Sequence, residues 1–209
     1  MTLLPALAFG FVLGIRHATD ADHIAAVGTI ATQRSSGPAW RSALVGAWWG
    51  VGHSLSVLLV GGALVALRMP MPPRLSLALE FGVALMLIGL GVVTLVRRHR
   101  AHASTPLRPF LVGTMHGLAG SAVLALLLIG SADSALVASV YLACFCVGTI
   151  AGMSLITVLM AIPIRKASGL SLEPRIRFAA GAASVVVGLL IAHRVGIREG
   201  LFAATLPLP

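Results

Sequence analysis

The stretch Arg16-His17-Ala18-Thr19-Asp20-Ala21-Asp22-His23-Ile24 puts five ionisable residues into eight positions, inside a run that is otherwise apolar. Charged groups near the centre of a bilayer are costly, so they must be paired, hydrated or metal-bound, and they mark function by default. Imidazole nitrogen with carboxylate oxygen, and no thiolate, suits a borderline divalent ion such as nickel, cobalt or zinc better than copper(I) or calcium. Protonation of either histidine competes with metal, so binding is expected to weaken in acid. The alternative is packing alone, with Arg16 forming a buried salt bridge to Asp20 or Asp22. Two carboxylates with two histidines exceed what packing needs. Arg16 is instead expected to neutralise the empty site or to anchor a carboxylate behind the ligands.

Helical geometry limits how these side chains can meet. At about 100° per residue, His17, Asp20 and His23 fall at about 0°, 300° and 240°, and Asp22 at about 140°. No single face holds all four. Either Asp22 looks to a second partner, or the helix unwinds locally and wraps side chains and carbonyls around an ion. Local unwinding is the favoured reading, because irregular backbone at membrane depth is tolerated where it lines a cavity.

Two further histidines are candidates. His53 stands in Trp48-Trp49-Gly50-Val51-Gly52-His53-Ser54, beside a hydroxyl and glycines that allow close helix approach. His116, in Met115-His116-Gly117, is the second. The candidate metal set is therefore His17, Asp20, Asp22, His23, His53 and His116. Elsewhere ordinary roles are expected. His99 and His102 lie in an arginine-rich connector, His193 ends an apolar run, and Asp133 caps a turn. Glu80 opens an apolar run, and Glu173 and Glu199 fall in polar connectors; none of the three is a site candidate. Cys144 and Cys146 lie two apart, would point to different faces of a helix, and give no redox signal.

The elements that must position these residues are membrane spans. The chain has 209 residues, is 58% hydrophobic and 10% charged, and has a mean hydropathy of +1.00, too apolar for a water-soluble core. Runs long enough to cross a bilayer's hydrocarbon recur six times, at 3–31, 43–67, 75–96, 110–130, 135–162 and 178–192. The last is short and is expected to lengthen past His193 and Arg194 by snorkelling. The N-terminus has no basic region and no small-residue cleavage site, so Met1 is expected to start the mature protein.

The net charge of +9 does not point to nucleic acid, because the basic residues cluster in alternate connectors. Arg34 and Arg41 follow the first run, Arg97, Arg98, Arg100 and Arg108 the third, and Arg165, Lys166, Arg175 and Arg177 the fifth. This positive-inside bias puts those connectors in the cytoplasm, against anionic lipid, and both termini outside. The oligomeric state is not encoded in any recognisable pattern.

The halves of the chain resemble each other at an offset near one hundred residues. Gly14-Ile15-Arg16-His17 answers Gly113-Thr114-Met115-His116. Gly52-His53-Ser54-Leu55 answers Gly152-Met153-Ser154-Leu155, and Phe81 with Gly91 answers Phe178 with Gly188. Three spans per half invert the second copy, an arrangement typical of transporters with a solute site near the midplane. The expected fold is an all-α polytopic membrane protein of six transmembrane helices, a 3+3 inverted repeat forming a single transmembrane domain over 1–209, with repeats at 1–100 and 107–209.

The residues from Arg16 to Ile24 resemble the signature of the nickel/cobalt transporter family, His-x4-Asp-His in an Arg-His-Ala-x-Asp-Ala-Asp-His-Ile context, and every position is met. Gly52-His53-Ser54 is similar to that family's second signature. The resemblance covers the first two runs well and the remainder by hydropathy. It implies a bacterial or archaeal permease of the cytoplasmic membrane that takes up Ni²⁺ or Co²⁺, with His17, Asp20, Asp22 and His23 as motif residues. Longer members have more spans and an acidic signature in the second half, which this chain lacks. It resembles the short branch that includes nickel permeases associated with urease maturation, whose relatives also include metal exporters.

The leading expectation is a secondary transporter of Ni²⁺, with Co²⁺ as alternative cargo, working in uptake, with no prosthetic group and no catalytic activity. No Gly-x4-Gly-Lys-Ser/Thr loop is present, so the chain carries no ATPase of that type. A metal exporter on the same scaffold is one rival. An intramembrane zinc metalloenzyme is another, and it lacks a His-Glu-x-x-His motif or a spare carboxylate as base. An exporter of small anions is a third, and Asp20 and Asp22 would repel its cargo.

Overall fold

The computed structural model describes residues 3–32, 38–67, 69, 71–96, 106–131, 134–168 and 172–203, with the backbone alone at 3, 6, 120–131, 135, 167 and 168. His99, His102 and Asp133 lie outside the described residues. All regular structure among those described is helical, as backbone polar groups in lipid require. The helices are α1 (Leu3–His17), α2 (Ala21–Thr32), α3 (Ala39–Leu67), α4 (Pro73–Val96), α5 (Leu107–Ser131), α6 (Ala135–Ser168) and α7 (Glu173–His193). A π segment, Val57–Gly61, interrupts α3, and a second, Arg194–Arg198, extends α7. Pro73 opens α4 and Pro174 sits in the first turn of α7, where a missing N–H costs nothing.

Four of these helices are long and apolar enough to cross a membrane: Ala39–Leu67, Pro73–Val96, Leu136–Lys166 and Glu173–Arg198. The burial pattern differs from that of a soluble protein, because histidines and hydroxyls join an apolar core inside while large aliphatic groups cover the outside. His53 is 0% exposed and Trp49 1%, whereas Leu4, Leu59 and Leu190 are 77%, 65% and 63% exposed. Polar groups inside and large aliphatic groups outside fit a lipid surround, where exposed leucine is not penalised. The last run does lengthen, but in both directions, from Glu173 through the π segment to Arg198.

The first apolar run is not one helix. α1 stops at His17 and α2 starts at Ala21, with 15 and 12 residues; their rises of about 22 and 18 Å are each too short for a hydrocarbon core of roughly 30 Å. The Thr19 and Asp20 amides turn back to the Arg16 and His17 carbonyls at 2.8 and 3.1 Å, closing α1 with tight i+3 bonds. Both pieces follow α6 in the same direction: Gly10 meets Tyr141, Gly14 meets Phe145, Gly152 meets Ala18, and Gly28 of α2 meets Met160. They lie one after the other along α6.

Close backbone approach at glycine sets the rest of the packing. A Cβ at Gly14 would fall on the Phe145 carbonyl and the Thr149 amide, and one at Gly113 on the Trp49 carbonyl and the His53 amide. Gly148 lies on the Phe11 carbonyl, and Gly52 on that of Phe110. Gly91 lies on the Gly181 carbonyl and Val185 amide, and Gly188 on the Ala84 carbonyl and Ile88 amide. Helices α3 and α6 run antiparallel, with Gly46 against Met153, Gly50 against Ile150 and the Ser54 hydroxyl donating to the Cys146 carbonyl at 3.3 Å. Ser56 donates to the Thr114 carbonyl at 2.9 Å and Ser184 to that of Leu87 at 2.8 Å. Small residues and interhelical hydroxyl bonds of this kind hold helices together where no hydrophobic effect acts between them.

Candidate functional site

The interruption at 18–20 lets His17, at the end of α1, and His23, in the first turn of α2, face each other. Their ring centroids are 4.6 Å apart. On a continuous helix these two rings would diverge by a third of a turn. His53 comes in from α3, 5.0 Å from His17 and 5.4 Å from His23. His116 comes in from α5, 4.8 Å from His23. The ligand-capable nitrogens of His17, His23 and His53 lie within 4.8 Å of one another.

The two carboxylates stand behind the rings. His17 Nδ1 donates to Asp20 Oδ2 at 2.8 Å, and His23 Nδ1 to Asp22 Oδ1 at 3.0 Å, with the His23 amide donating to the same oxygen at 2.9 Å. A carboxylate on Nδ1 fixes the proton there and leaves Nε2 with its lone pair. The Nε2 atoms of His17 and His23 are buried with no hydrogen-bond partner, as are both ring nitrogens of His53 and Nε2 of His116. Asp22 Oδ2 also lies 3.7 Å from His116 Nε2, so this one carboxylate spans two histidines. Buried polar atoms in a folded protein are nearly always satisfied. The orphaned imidazole nitrogens of this cluster could serve as donors to a metal ion.

All six sequence candidates therefore gather in one place, and Asp20, Asp22 and His23 form a second group whose ligand-capable atoms lie within 4.8 Å of one another. Four histidines form the inner group, and Asp20 and Asp22 hold two of them. The expected pairing of Arg16 with these carboxylates does not occur among the described residues: Arg16 is exposed, and Asp20 and Asp22 face histidines. Cys144 and Cys146 are free, as expected, and Cys146 is buried with its thiol toward the Ser54 carbonyl.

Three residues at the site escaped the sequence reading. Trp49, one helical turn before His53, stacks on His23 at 5.5 Å and meets His116 edge-on at 5.6 Å, walling the cluster. Its i, i+4 relation to His53 was the available signal. Glu80 and Arg194 line a cavity of about 180 Å³ together with His17, Asp22, His23 and His116. They are 114 residues apart and joined at 2.7 Å, a pairing no local pattern announces.

An all-helical architecture with several apolar helices of membrane-spanning length, packed around four neighbouring histidines, fits a membrane transport protein. Residues 3–106 match the family described as High-affinity nickel-transport protein (NicO). The chain is also similar to the urease accessory protein UreH of Bacillus sp. (strain TB-90), at 32% identity over 220 residues covering 96% of each chain. The chain belongs to the high-affinity nickel-transport protein family. Membership of a transport family bears out the reading that it is not an enzyme. No solved structure matches it.

Proposed function

We propose that the protein is a secondary permease that carries Ni²⁺, with Co²⁺ as alternative cargo, into the cell across the cytoplasmic membrane of a bacterium or archaeon. The ion is a transported substrate, and no prosthetic group takes part. The carrying observation is the convergence of unpartnered imidazole nitrogens on an interrupted helix, with Asp20 and Asp22 holding the opposite nitrogens of His17 and His23. His17, His23 and His53 are the ligands in this reading, and His116 is a supporting group packed against His23 and Asp22. Imidazole donors favour a borderline ion over calcium or magnesium. Asp20 and Asp22 supply charge and orientation rather than ligand atoms.

The architecture we propose has six traverses in two inverted repeats, residues 1–100 and 107–209, with both termini outside. Reciprocal packing supports it. Gly14 on Phe145 and Thr149 mirrors Gly113 on Trp49 and His53; Gly148 on Phe11 mirrors Gly52 on Phe110; and Gly91 on Gly181 and Val185 mirrors Gly188 on Ala84 and Ile88. The first and third of these match the pairings of Gly14 with Gly113 and Gly91 with Gly188 drawn from the sequence. The second shifts the middle span by one turn, so that Gly52 answers Gly148 and His53 answers Thr149. An inverted pair of halves with an interrupted helix at their meeting point suits alternating access around a fixed site.

The deciding experiment is accumulation of radioactive nickel in cells expressing the protein or its His17→Ala and Asp22→Ala variants at matched membrane levels. Uptake by the unmodified chain, abolished in His17→Ala and strongly reduced in Asp22→Ala, supports the reading. Equal uptake by all three would remove the histidine cluster from the pathway, and efflux from preloaded cells would reverse the direction.

A further inference from the structure

The cavity that reaches His17, Asp22, His23 and His116 has a second charged group in its wall, Glu80 with Arg194. Arg194 is shared between two carboxylates: its Nη2 lies 2.7 Å from Glu80 Oε2, and its Nε 3.4 Å from Glu199 Oε1. The Glu80 side chain is 28% exposed, Arg194 53% and Glu199 39%, while the His116 and His23 side chains are 1% and 3% exposed. The cavity thus joins the partly exposed pair of Glu80 and Arg194, with Asp22 and His17 comparably exposed at 27% and 21%, to the closed His23 and His116 rings.

The pair of Glu80 and Arg194 is held in a defined shape. The π segment Arg194–Arg198 ends α7, and Gly200, at φ +79°, turns the chain so that the Leu201 and Phe202 amides reach the Val195 and Gly196 carbonyls at 3.2 and 3.3 Å. Phe202 then meets Phe81 edge-on at 5.1 Å, beside Glu80. Glu199 is fixed next to Arg194 by this return. Two carboxylates around one guanidinium leave one net negative charge.

We propose that Glu80 is a transfer station for the divalent cation between solution and the histidine cluster, with Arg194 as the tethered charge that the cation displaces. This rests on the reading of the histidine cluster as the metal site. Bare paired carboxylates would be oxygen donors that hold a divalent ion, whereas conduction needs each stop to be attractive enough to enter and weak enough to leave. Arg194 supplies that weakness by competing for the same oxygens. The residual negative charge raises local cation concentration and entry rate. The hard carboxylate strips part of the ion's water before the softer imidazoles take over. A purely structural strut between α4 and the end of α7 would use the same pair, so the test must separate the two.

Nickel uptake should be measured against concentration in cells carrying Glu80→Gln, Glu80→Asp, Arg194→Gln or His23→Ala at matched membrane levels, with equilibrium Ni²⁺ binding measured on the purified full-length chains. The transfer-station role requires Glu80→Gln to raise the apparent KM roughly tenfold, as loss of electrostatic attraction does, with equilibrium affinity changed less than about threefold. Glu80→Asp should restore the KM, and Arg194→Gln should not raise it. Equal KM increases in Glu80→Gln and Arg194→Gln would make the pair a strut and overturn the proposal, as would an unchanged KM in Glu80→Gln. Loss of equilibrium affinity in Glu80→Gln as large as in His23→Ala would make Glu80 a ligand and also overturn it. If His23→Ala itself transports normally, it is the reading of the histidine cluster that fails.

Discussion

Asp22 Oδ1 accepts two hydrogen bonds from His23, one from its backbone amide at 2.9 Å and one from its ring Nδ1 at 3.0 Å. The carboxylate sits in the first turn of α2, where the helix dipole favours negative charge. The break between α1 and α2 therefore has a local cause as well as a use. It exposes amide donors that Asp22 satisfies, and that bond turns the His23 ring inward.

From this follows a graded effect of substitutions behind the ligands. Removing a carboxylate that orients a metal-bound histidine typically costs roughly 10- to 100-fold in metal affinity. Asp22→Ala should show a loss of that size in calorimetric Ni²⁺ binding, and Asp20→Ala a smaller one because its carboxylate is 52% exposed. Asp22→Asn keeps an acceptor for both His23 donors and should fall between Asp22→Ala and the unmodified chain. If Asp22→Asn is as damaging as Asp22→Ala, the charge matters and the orientation does not.

His53 and His116 should separate. One His53 nitrogen lies within 4.8 Å of a nitrogen of His17 and of His23, and neither ring nitrogen of His53 has a hydrogen-bond partner. His116 leans on the Val112 carbonyl through Nδ1 at 3.4 Å and faces Asp22 through Nε2. His53→Ala should abolish high-affinity Ni²⁺ binding as fully as His17→Ala, while His116→Ala should weaken it by roughly tenfold, the lower end of what losing a supporting group costs. X-ray absorption of the nickel-loaded protein checks this directly. A shell that loses imidazole on His116→Ala but not on His53→Ala would reverse the assignment.

Much of the site was legible because charge in an apolar run is so unfavourable that its presence carries information. The break at 18–20 was legible too, since His17, Asp20, Asp22 and His23 cannot share one face of a regular helix. The division of labour between imidazole and carboxylate was not, because which oxygen meets which ring depends on the turn geometry at Thr19 and Asp20. Glu80 and Arg194 were read as span-end residues. Their meeting depends on how α4 packs on α7, through Gly91, Gly181 and Gly188, and neither residue's neighbours in sequence encode it. In the proposed repeat the middle-span register differs by one turn from the sequence comparison, for a similar reason. Gly148 and Gly152 are four residues apart on one face of α6, so sequence comparison could not choose between them, and only the carbonyl each one covers does.

The close helix contacts can be tested through stability rather than through metal binding. A methyl at Gly113 would strike the Trp49 carbonyl and the His53 amide, both backbone atoms that cannot move aside cheaply. Overpacking of this kind costs typically about 1–3 kcal/mol. Gly89, also mid-helix, has nothing within 4 Å of a Cβ, and alanine there should stabilise α4 by roughly 0.5–1 kcal/mol through helix propensity. Thermal unfolding in detergent should therefore move down for Gly113→Ala and up or not at all for Gly89→Ala. Matching shifts would show that the α3 and α5 backbones are not in contact.

Thr149 offers the last comparison. It is fully buried in α6, its Oγ1 has no hydrogen-bond partner, and in the proposed inverted repeat it is the counterpart of His53. A buried hydroxyl left unsatisfied costs about 1–3 kcal/mol, so Thr149→Val, which keeps shape and removes the hydroxyl, should hold or raise the unfolding temperature. Thr157 is the control, since its hydroxyl donates to the Met153 carbonyl at 2.6 Å, and Thr157→Val should gain nothing. If the second half keeps only the scaffold of a site whose metal ligands come mainly from the first, Thr149→Val leaves Ni²⁺ affinity unchanged. A loss of affinity in Thr149→Val, with stability intact, would bring the hydroxyl into the ion's coordination and make the two halves more alike in function than their donor sets suggest.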